Sequence, residues 1–318
     1  MSIRTVHPTA EAPRFSVVIP AYNEAGYLEA TLRSLQQQRF TGTYEVIVVD
    51  NNSTDDTAEI AARLGAMVLH EPQPGVCWAR QSGTLAARGE IVASTDADTV
   101  HPPDWLSRLD ESFRRHPDAI AVAGPCRYQD PLWWAVVFPR LWFAAIAVGA
   151  RLTGRLFYLT ATNVAFRRTS FPGYDTNLTQ GGDEFDFLRR LQSRGRIVWD
   201  AYNPVLTSSR RMDQGLLHTL VVSYGYHYAL SLWLNRWTSR SVLGPAPAIR
   251  RKHAHLVRRR RQNWQAGFIT GVLAAVALRR AWTLRRSAPG PASAGPGSPP
   301  VATTPKPGST AEPSSSMT

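Results

Sequence analysis

The sequence predicts an α/β protein with a doubly wound, mostly parallel sheet flanked by helices, followed by apolar and basic helices and a disordered tail. Three observations support this prediction. Short β-branched runs alternate with helical patterns over the first hundred residues, and acidic side chains follow several of these runs. The net charge of +12 is concentrated towards the C-terminus. Alternating strands and helices favour right-handed crossovers and a parallel sheet.

Four apolar runs predict the first four strands. They are FSVVIP (15–20), YEVIVVD (44–50), AMVLH (66–70) and EIVASTD (90–96). Between the first two runs, Leu28, Leu32 and Leu35 share the i, i+4, i+7 spacing of one helix face. A second helix is predicted after the polar turn at 51–57, and a third over 76–88, before Gly89.

Acidic residues follow three of the predicted strands. Glu24 follows the first, Asp50 ends the second, and Asp96 and Asp98 follow the fourth. Ligands of parallel sheets bind at the carboxyl ends of the strands, so these side chains predict a site. Two aspartates one residue apart can share Mg²⁺ or Mn²⁺, ions that bind few protein carboxylates together with substrate phosphates. The sequence has no G-x-G-x-x-G and no Walker A motif, which argues against a Rossmann dinucleotide site or a P-loop.

The charge divides the chain into two parts. Residues 1–200 hold 20 Arg and 22 Asp and Glu, so the excess of positive charge lies in the remaining 118 residues. Apolar segments accompany that charge at 216–237 and 264–278, and a third lies at 131–150, broken by Pro139 and Arg140. We expect interfacial helices on an anionic membrane surface and no nucleic-acid partner. Buried helices at 131–150 and 216–237, or one real membrane span at 264–278, are the alternatives.

Four regions are expected from composition: an N-terminal extension over 1–13, a catalytic domain over 14–212, a membrane-associating helical region over 213–286 and a disordered tail over 287–318. The tail is too poor in large apolar residues to fold. Two cysteines exclude a disulfide framework, and no signal-peptide pattern opens the chain. We therefore expect the catalytic domain on the cytoplasmic face of the cell membrane, held peripherally or by one or two spanning helices.

An ordered set of motifs resembles the family 2 glycosyltransferases with the GT-A fold. The motifs are VVIPAYNE (17–24), VIVVDNNSTDDT (46–57), GVCWARQSGTLAARGEIVASTDADT (75–99), TATNVAFRRTSF (160–171) and GGDEFDFLRRL (181–191). The resemblance covers roughly residues 14–212. It implies inverting transfer of a sugar from a nucleotide diphosphate donor, with a divalent metal.

The resemblance also implies roles for individual residues. Pro20, Ala21, Tyr22 and Glu24 would line the nucleoside pocket, Asp50 would read the base, and Arg80 would close the nucleotide side. Asp96 would contact the ribose or metal, and Asp98 would be the principal metal ligand. Asn163 and Gly182 would face the acceptor, and Arg210 and Arg211 would help to hold the diphosphate or face lipid. Simpler alternatives are that Glu24 caps the next helix and that Arg80 is a solvated helix residue.

The segment at 181–191 contains the letters GGDEF, which also name the diguanylate cyclases. In the family 2 enzymes the equivalent segment reads roughly G-E-D-x-D-L-x-x-R-L, and its second acid is the general base. Here Asp183 and Glu184 hold the acid pair in reversed order. Leu188, Leu191 and an Asp186–Arg190 pair fit a helix starting at this point, whereas a cyclase needs a hairpin. Glu184 is the preferred base, with Asp183 as the alternative.

These features together predict a metal-dependent hexosyltransferase that uses Mn²⁺ or Mg²⁺ and works in cell-envelope biosynthesis. Its donor would be a UDP- or GDP-linked sugar, and its acceptor a hydroxyl or phosphate of a lipid-linked molecule or a glycan. The Q-x-x-R-W sequence of processive synthases is missing, which favours transfer of single sugars. The alternatives are a GT-A-like nucleotidyltransferase, disfavoured because no lysine precedes Lys252, and a non-catalytic membrane scaffold with a degenerate transferase domain.

Overall fold

The computed structural model describes residues 12–129, 133–178 and 183–210. Ten strands, six α-helices and one 3-10 helix (Arg168–Ser170) lie within these ranges. The strands are β1 (Phe15–Ala21), β2 (Tyr44–Asp50), β3 (Met67–His70), β4 (Ile91–Ser94), β5 (Thr99–Val100), β6 (Ala119–Ala123), β7 (Cys126–Gln129), β8 (Val164–Arg167), β9 (Arg196–Trp199) and β10 (Val205–Ser208). The helices are α1 (Ala25–Gln36), α2 (Thr57–Arg63), α3 (Val76–Ala86), α4 (Trp105–Arg115), α5 (Trp133–Thr153) and α6 (Asp183–Gln192).

The main sheet has seven strands in the order β3-β2-β1-β4-β8-β6-β9. Strands β3, β2, β1 and β4 run parallel, as do β6 and β9, whereas β8 is antiparallel to both of its neighbours. A small second sheet joins β5, β10 and β7. The predicted fold class, a mostly parallel α/β sheet flanked by helices, is therefore confirmed for the described residues.

Helices cover both faces of the main sheet. On one face, Leu28, Leu32 and Leu35 of α1 are completely buried, which confirms the helical face predicted from their spacing. On the other face, α3 lies so close to the sheet that a Cβ atom at Gly83 would stand 2.5 Å from a methyl carbon of Val18. A larger residue at position 83 would push this helix away from the strands that carry the site.

Helix α5 runs through Pro139 without ending, although this proline has no N–H to donate. One side of α5 packs on the domain: Ile146 is buried, and Phe143 stacks on Trp199 with ring centroids 5.7 Å apart. The other side is apolar and exposed. Trp134–Thr153 is long and apolar enough to cross a membrane, by length and composition alone.

Several predictions concern residues that lie outside the described ranges. They include the apolar segments at 216–237 and 264–278, the tail from 287, and the site candidates Gly182 and Arg211. The proposed boundaries at 212 and 286 also fall there and stay predictions.

Candidate active site

The carboxyl ends of β2, β1 and β4 form one edge of the sheet, because these strands are parallel neighbours. The chain turns sharply after β1 and β2, at Asn23 (φ 53°) and Asn52 (φ 65°). Both residues occupy the left-handed region, which asparagine tolerates better than most residues. The Asn23 side chain accepts a hydrogen bond of 2.6 Å from the backbone N–H of Thr54, so the two loops are fastened together.

Asp50 is buried at this edge, level with Ala21 on β1. Its Oδ2 lies 3.5 Å from Nδ1 of His70, whereas its Oδ1 has no hydrogen-bond partner among the described residues. A buried carboxylate oxygen without a donor is uncommon and calls for a ligand or water. The ring of Tyr22, 45% exposed, follows β1 at the same edge, next to the partly buried Pro20.

Arg80 joins two acids that are far apart in the sequence. Its Nη1 donates to Asp183 Oδ2 at 2.7 Å and its Nη2 to Asp96 Oδ1 at 2.8 Å. The Arg80 side chain is only 6% exposed, so the alternative of a solvated helix residue is wrong. Burial acts to lower the pKa of Arg80, but the charges of Asp96 and Asp183 raise it above its ordinary value.

Arg210 makes a second junction of this kind. Its guanidinium donates to both carboxylate oxygens of Glu24, at 2.7 and 2.8 Å, and its Nη2 lies 3.1 Å from Asp98 Oδ2. The Asp98 carboxylate also accepts from Thr207 at 3.2 Å. Glu24 is the N-cap residue of α1, but its side chain makes no capping hydrogen bond, so its carboxylate does not cap the helix.

Glu184 has a different environment from its neighbour Asp183. Its two oxygens accept from the Tyr158 hydroxyl and from the backbone N–H of Ala161, both at 2.9 Å. Removal from water and the negative charge of Asp183 raise the pKa of Glu184 to about 7, and the two hydrogen bonds only partly oppose this rise. Glu184 can therefore gain or lose a proton near neutral pH, whereas the charge of Asp183 is neutralised by Arg80.

The loop that contains residues 161 and 162 contacts both Asp96, which follows β4, and Glu184. Ala161 binds Glu184 through its backbone, and the adjacent Thr162 donates its hydroxyl to Asp96 Oδ2 at 2.6 Å. The two carboxylates therefore contact the same pair of adjacent residues. Tyr158 and Thr162, as well as Thr207, were not singled out from the sequence. Thr162 lies inside a motif of the resemblance, while nothing in the sequence distinguished Tyr158 or Thr207.

Asn163 and His101 are buried side chains that form hydrogen bonds with neighbouring segments. The Asn163 amide accepts from Trp105 Nε1 at 3.0 Å and donates to the carbonyl oxygens of Pro125 and Asn203. Because this side chain is buried and engaged at both ends, we assign Asn163 a structural role instead of the predicted acceptor contact. His101 is likewise buried against Ser34 and Thr95, and burial lowers its pKa to about 3.

The carboxylate oxygens of this site fit a divalent cation that binds together with the substrate. Among the described residues, no group of three or more His, Cys, Asp or Glu side chains is placed to hold a metal ion. Asp96 and Asp98 supply hard oxygen ligands, and Asp98 already attracts a cation, the Arg210 guanidinium. Mg²⁺ is commonly held in this way, by one or two carboxylates plus substrate phosphates and water.

A mostly parallel sheet with paired acids at the end of β4 and a further acid on α6 defines the class of GT-A glycosyltransferase folds. The fold agrees with that of a mannosyltransferase from Pyrobaculum calidifontis, solved in complex with GDP-Man and Mn²⁺. The TM-score is 0.57 at 23% identity, over 75% of this chain and 67% of that one. Residues 16–173 match the family model described as glycosyl transferase family 2, and the chain belongs to this family.

Two curated relatives extend the comparison. An uncharacterized glycosyltransferase of Mycobacterium bovis is 49% identical over 105 residues, which are 33% of this chain and 46% of that protein. The glucosyl-dolichyl phosphate glucuronosyltransferase of Haloferax volcanii is 28% identical over 190 residues, 54% of this chain and 59% of that protein. The chain thus spans about half the length of the curated relatives it matches.

Proposed function

We propose that the protein is an inverting glycosyltransferase that moves one sugar from a nucleotide diphosphate donor to an acceptor hydroxyl at a membrane. The observation that carries the proposal is that Glu184 and Asp96 accept hydrogen bonds from two adjacent residues, Ala161 and Thr162. One carboxylate belongs to the donor edge of the sheet and the other titrates near pH 7. Family membership and the fold support the same activity.

The donor occupies the carboxyl edge of the sheet in this proposal. Asp50 Oδ1 accepts a hydrogen bond from the base, which satisfies its unpaired oxygen. Pro20, Ala21 and Tyr22 line the nucleoside pocket beside it. Asp98, with Asp96, would hold Mn²⁺ or Mg²⁺, and a metal bound there would supply Lewis-acid stabilisation of the negative charge on the departing nucleoside diphosphate.

Glu184 is the general base. It removes the proton of the acceptor hydroxyl while that oxygen attacks the anomeric carbon and the bond from this carbon to the diphosphate oxygen breaks. The products are the glycoside, the nucleoside diphosphate and protonated Glu184. Asp183 is an unsuitable base because it is held by Arg80 at 2.7 Å. A base that titrates near 7 favours a hydroxyl acceptor over a phosphate, since a phosphate oxygen is already anionic at that pH.

Binding of donor tests the proposal. The full-length protein is titrated with UDP- and GDP-sugars with and without Mn²⁺, and we expect one donor to bind in a metal-dependent manner. Asp98→Asn should abolish the effect of Mn²⁺, because it removes the charge of the principal ligand. Asp104→Asn, which changes an exposed acid paired with Arg108, is the matched control and should bind as the wild type does. Absence of donor binding by the folded wild type would favour the non-catalytic scaffold.

Helix α5 provides the membrane contact in this proposal. Four of its exposed apolar side chains share one face, within an arc of about 60° at 100° per residue; they are Val137, Leu141, Val148 and Leu152, whereas the exposed Trp142 lies outside this arc. Arg140 and Arg151 border this face, and the helix carries no acid. Because the opposite side packs on the domain, an orientation along an anionic lipid surface fits better than a span. A lipid-linked acceptor is supported by the name of the Haloferax volcanii relative.

Partition onto vesicles tests this contact. Full-length protein with Leu141→Glu and Leu152→Glu should bind phosphatidylglycerol-containing vesicles about tenfold less tightly. This decrease corresponds to roughly half to all of the free energy gained by burying one leucine side chain. Binding should weaken rather than vanish if the apolar segments at 216–237 and 264–278 also insert. Leu85→Glu changes an equally exposed leucine on α3 and serves as the control. Unchanged partition of the double variant would remove α5 from the membrane contact.

A further inference from the structure

Arg210 neutralises Asp98, one of the two acids to which the proposed function assigns the metal. Its guanidinium is 17% exposed and bridges Glu24 and Asp98, which come from the ends of two different strands. The ring of Tyr27 lies 4.9 Å from its central carbon and supports the guanidinium from the side. The two carboxylates raise the pKa of Arg210 above its ordinary value against the opposing effect of burial, so this residue is a permanent cation.

A divalent ion and this guanidinium require the same carboxylate. Arg210 Nη2 approaches Asp98 Oδ2 to 3.1 Å, and Thr207 donates to the other oxygen at 3.2 Å. Placing a second cation at Asp98 would bring two positive charges within a few ångströms in a partly buried site. The negative charge of a donor diphosphate relieves that repulsion, whereas a metal ion alone brings no such compensation.

We infer that Arg210 is a built-in competitor for the metal, which neutralises Asp98 while the donor is absent and gives up this contact when metal and nucleotide enter together. The inference rests on the proposed function, because it takes Asp98 as the metal ligand. Its consequence is that metal and donor bind cooperatively. The free protein is protected from taking up divalent ions without substrate, and its acids stay neutralised.

The test measures Mn²⁺ binding by electron paramagnetic resonance of the free ion, using the full chain without nucleotide. If the Asp98 contact is broken in about a tenth of molecules, Arg210→Met should raise the apparent affinity for Mn²⁺ about tenfold, since apparent affinity scales with the competent fraction. UDP or GDP should raise the affinity of the wild type more than that of the variant. Arg196→Met removes one positive charge from an exposed pair with Asp118 and should behave as the wild type does.

Equal or weaker Mn²⁺ binding by Arg210→Met overturns the inference. If this variant does not fold, Arg210→Lys takes its place: its single ammonium cannot reproduce the three contacts, so a smaller gain in affinity is expected, and no gain overturns the inference. Donor binding by the wild type without metal, lost in the Arg210 variant, also overturns the inference. Arg210 would then be the counter-charge of the diphosphate itself and not a competitor of the metal. Failure of the proposed function shows differently, as absence of nucleotide-sugar binding by the wild type.

Discussion

Replacing Glu184 with Gln is expected to lower kcat about 10²–10⁴-fold, the usual contribution of a general base. Gln keeps the shape of the side chain. Its amide oxygen can still accept from the Ala161 N–H, and its amide nitrogen can donate to the Tyr158 hydroxyl oxygen. Donor affinity should therefore change little. The measurement is steady-state transfer with the donor identified by binding, with Glu111→Gln, on the outer face of α4, as a control. A loss smaller than tenfold would indicate an acceptor that needs no base, such as a phosphate.

The pH dependence provides a second measurement on the same group. The base must be ionised to accept a proton, so kcat of the wild type should fall as the pH decreases through about 7. An ordinary glutamate would place this limb near 4.3. The residual activity of Glu184→Gln should lack the limb near 7. An acid limb that persists in the variant would assign the titration to another group.

Stability should change in the opposite direction to activity. The pKa of Glu184 is raised in the folded state, so the folded protein binds more protons than the unfolded chain between the unfolded value of about 4.3 and about 7. This group's contribution to the free energy of unfolding is therefore greatest below that window and decreases as the pH rises through it. Glu184→Gln, which has no charge to bury, should melt at a higher temperature than the wild type at pH 8 and show less difference near pH 5.

Replacing Arg80 with Met is expected to have the largest effect on stability. The change removes the cation between Asp96 and Asp183 and leaves Asp183, 5% exposed, without its counter-charge. Removal of one partner of a buried ion pair costs about 3–5 kcal/mol in the free energy of unfolding. Urea denaturation at pH 7.5 measures this loss.

Arg196→Met is the matched control for this loss. Its partner Asp118 and Arg196 itself are both more than half exposed, so their pair should contribute no more than about 1 kcal/mol. A loss of similar size in both variants would mean that the contribution of Arg80 to stability does not come from its buried ion pairs. A selective loss in Arg80→Met supports a positioning role for Arg80, which joins the strand exit at Asp96 to the first turn of α6.

The sequence determined the order of the elements in the N-terminal half of the domain. Apolar periodicity placed β1, α1, β2 and α2 correctly, because one face or both faces of each element must be buried and the burial period depends only on the local backbone. The paired acids after β4 were identified for the same reason, since a carboxylate directly after a buried strand must emerge at the sheet edge. Helix α6 was predicted from the spacing of Leu188, Leu191 and the Asp186–Arg190 pair, which the structure contains.

Only the tertiary structure decided which acid has which environment. Asp183 and Glu184 are adjacent in the sequence, yet one faces Arg80 from α3 and the other faces Tyr158 and Ala161. Arg210 meets Glu24 across 186 positions of the chain, and Asn163 meets Trp105 across 58. Ion pairing and burial depend on distances between elements, which a local pattern does not encode. For that reason the charged residues of the site could be predicted from the sequence. Which ion pairs and hydrogen bonds they form depends on how α3, α6 and β10 pack in the folded domain.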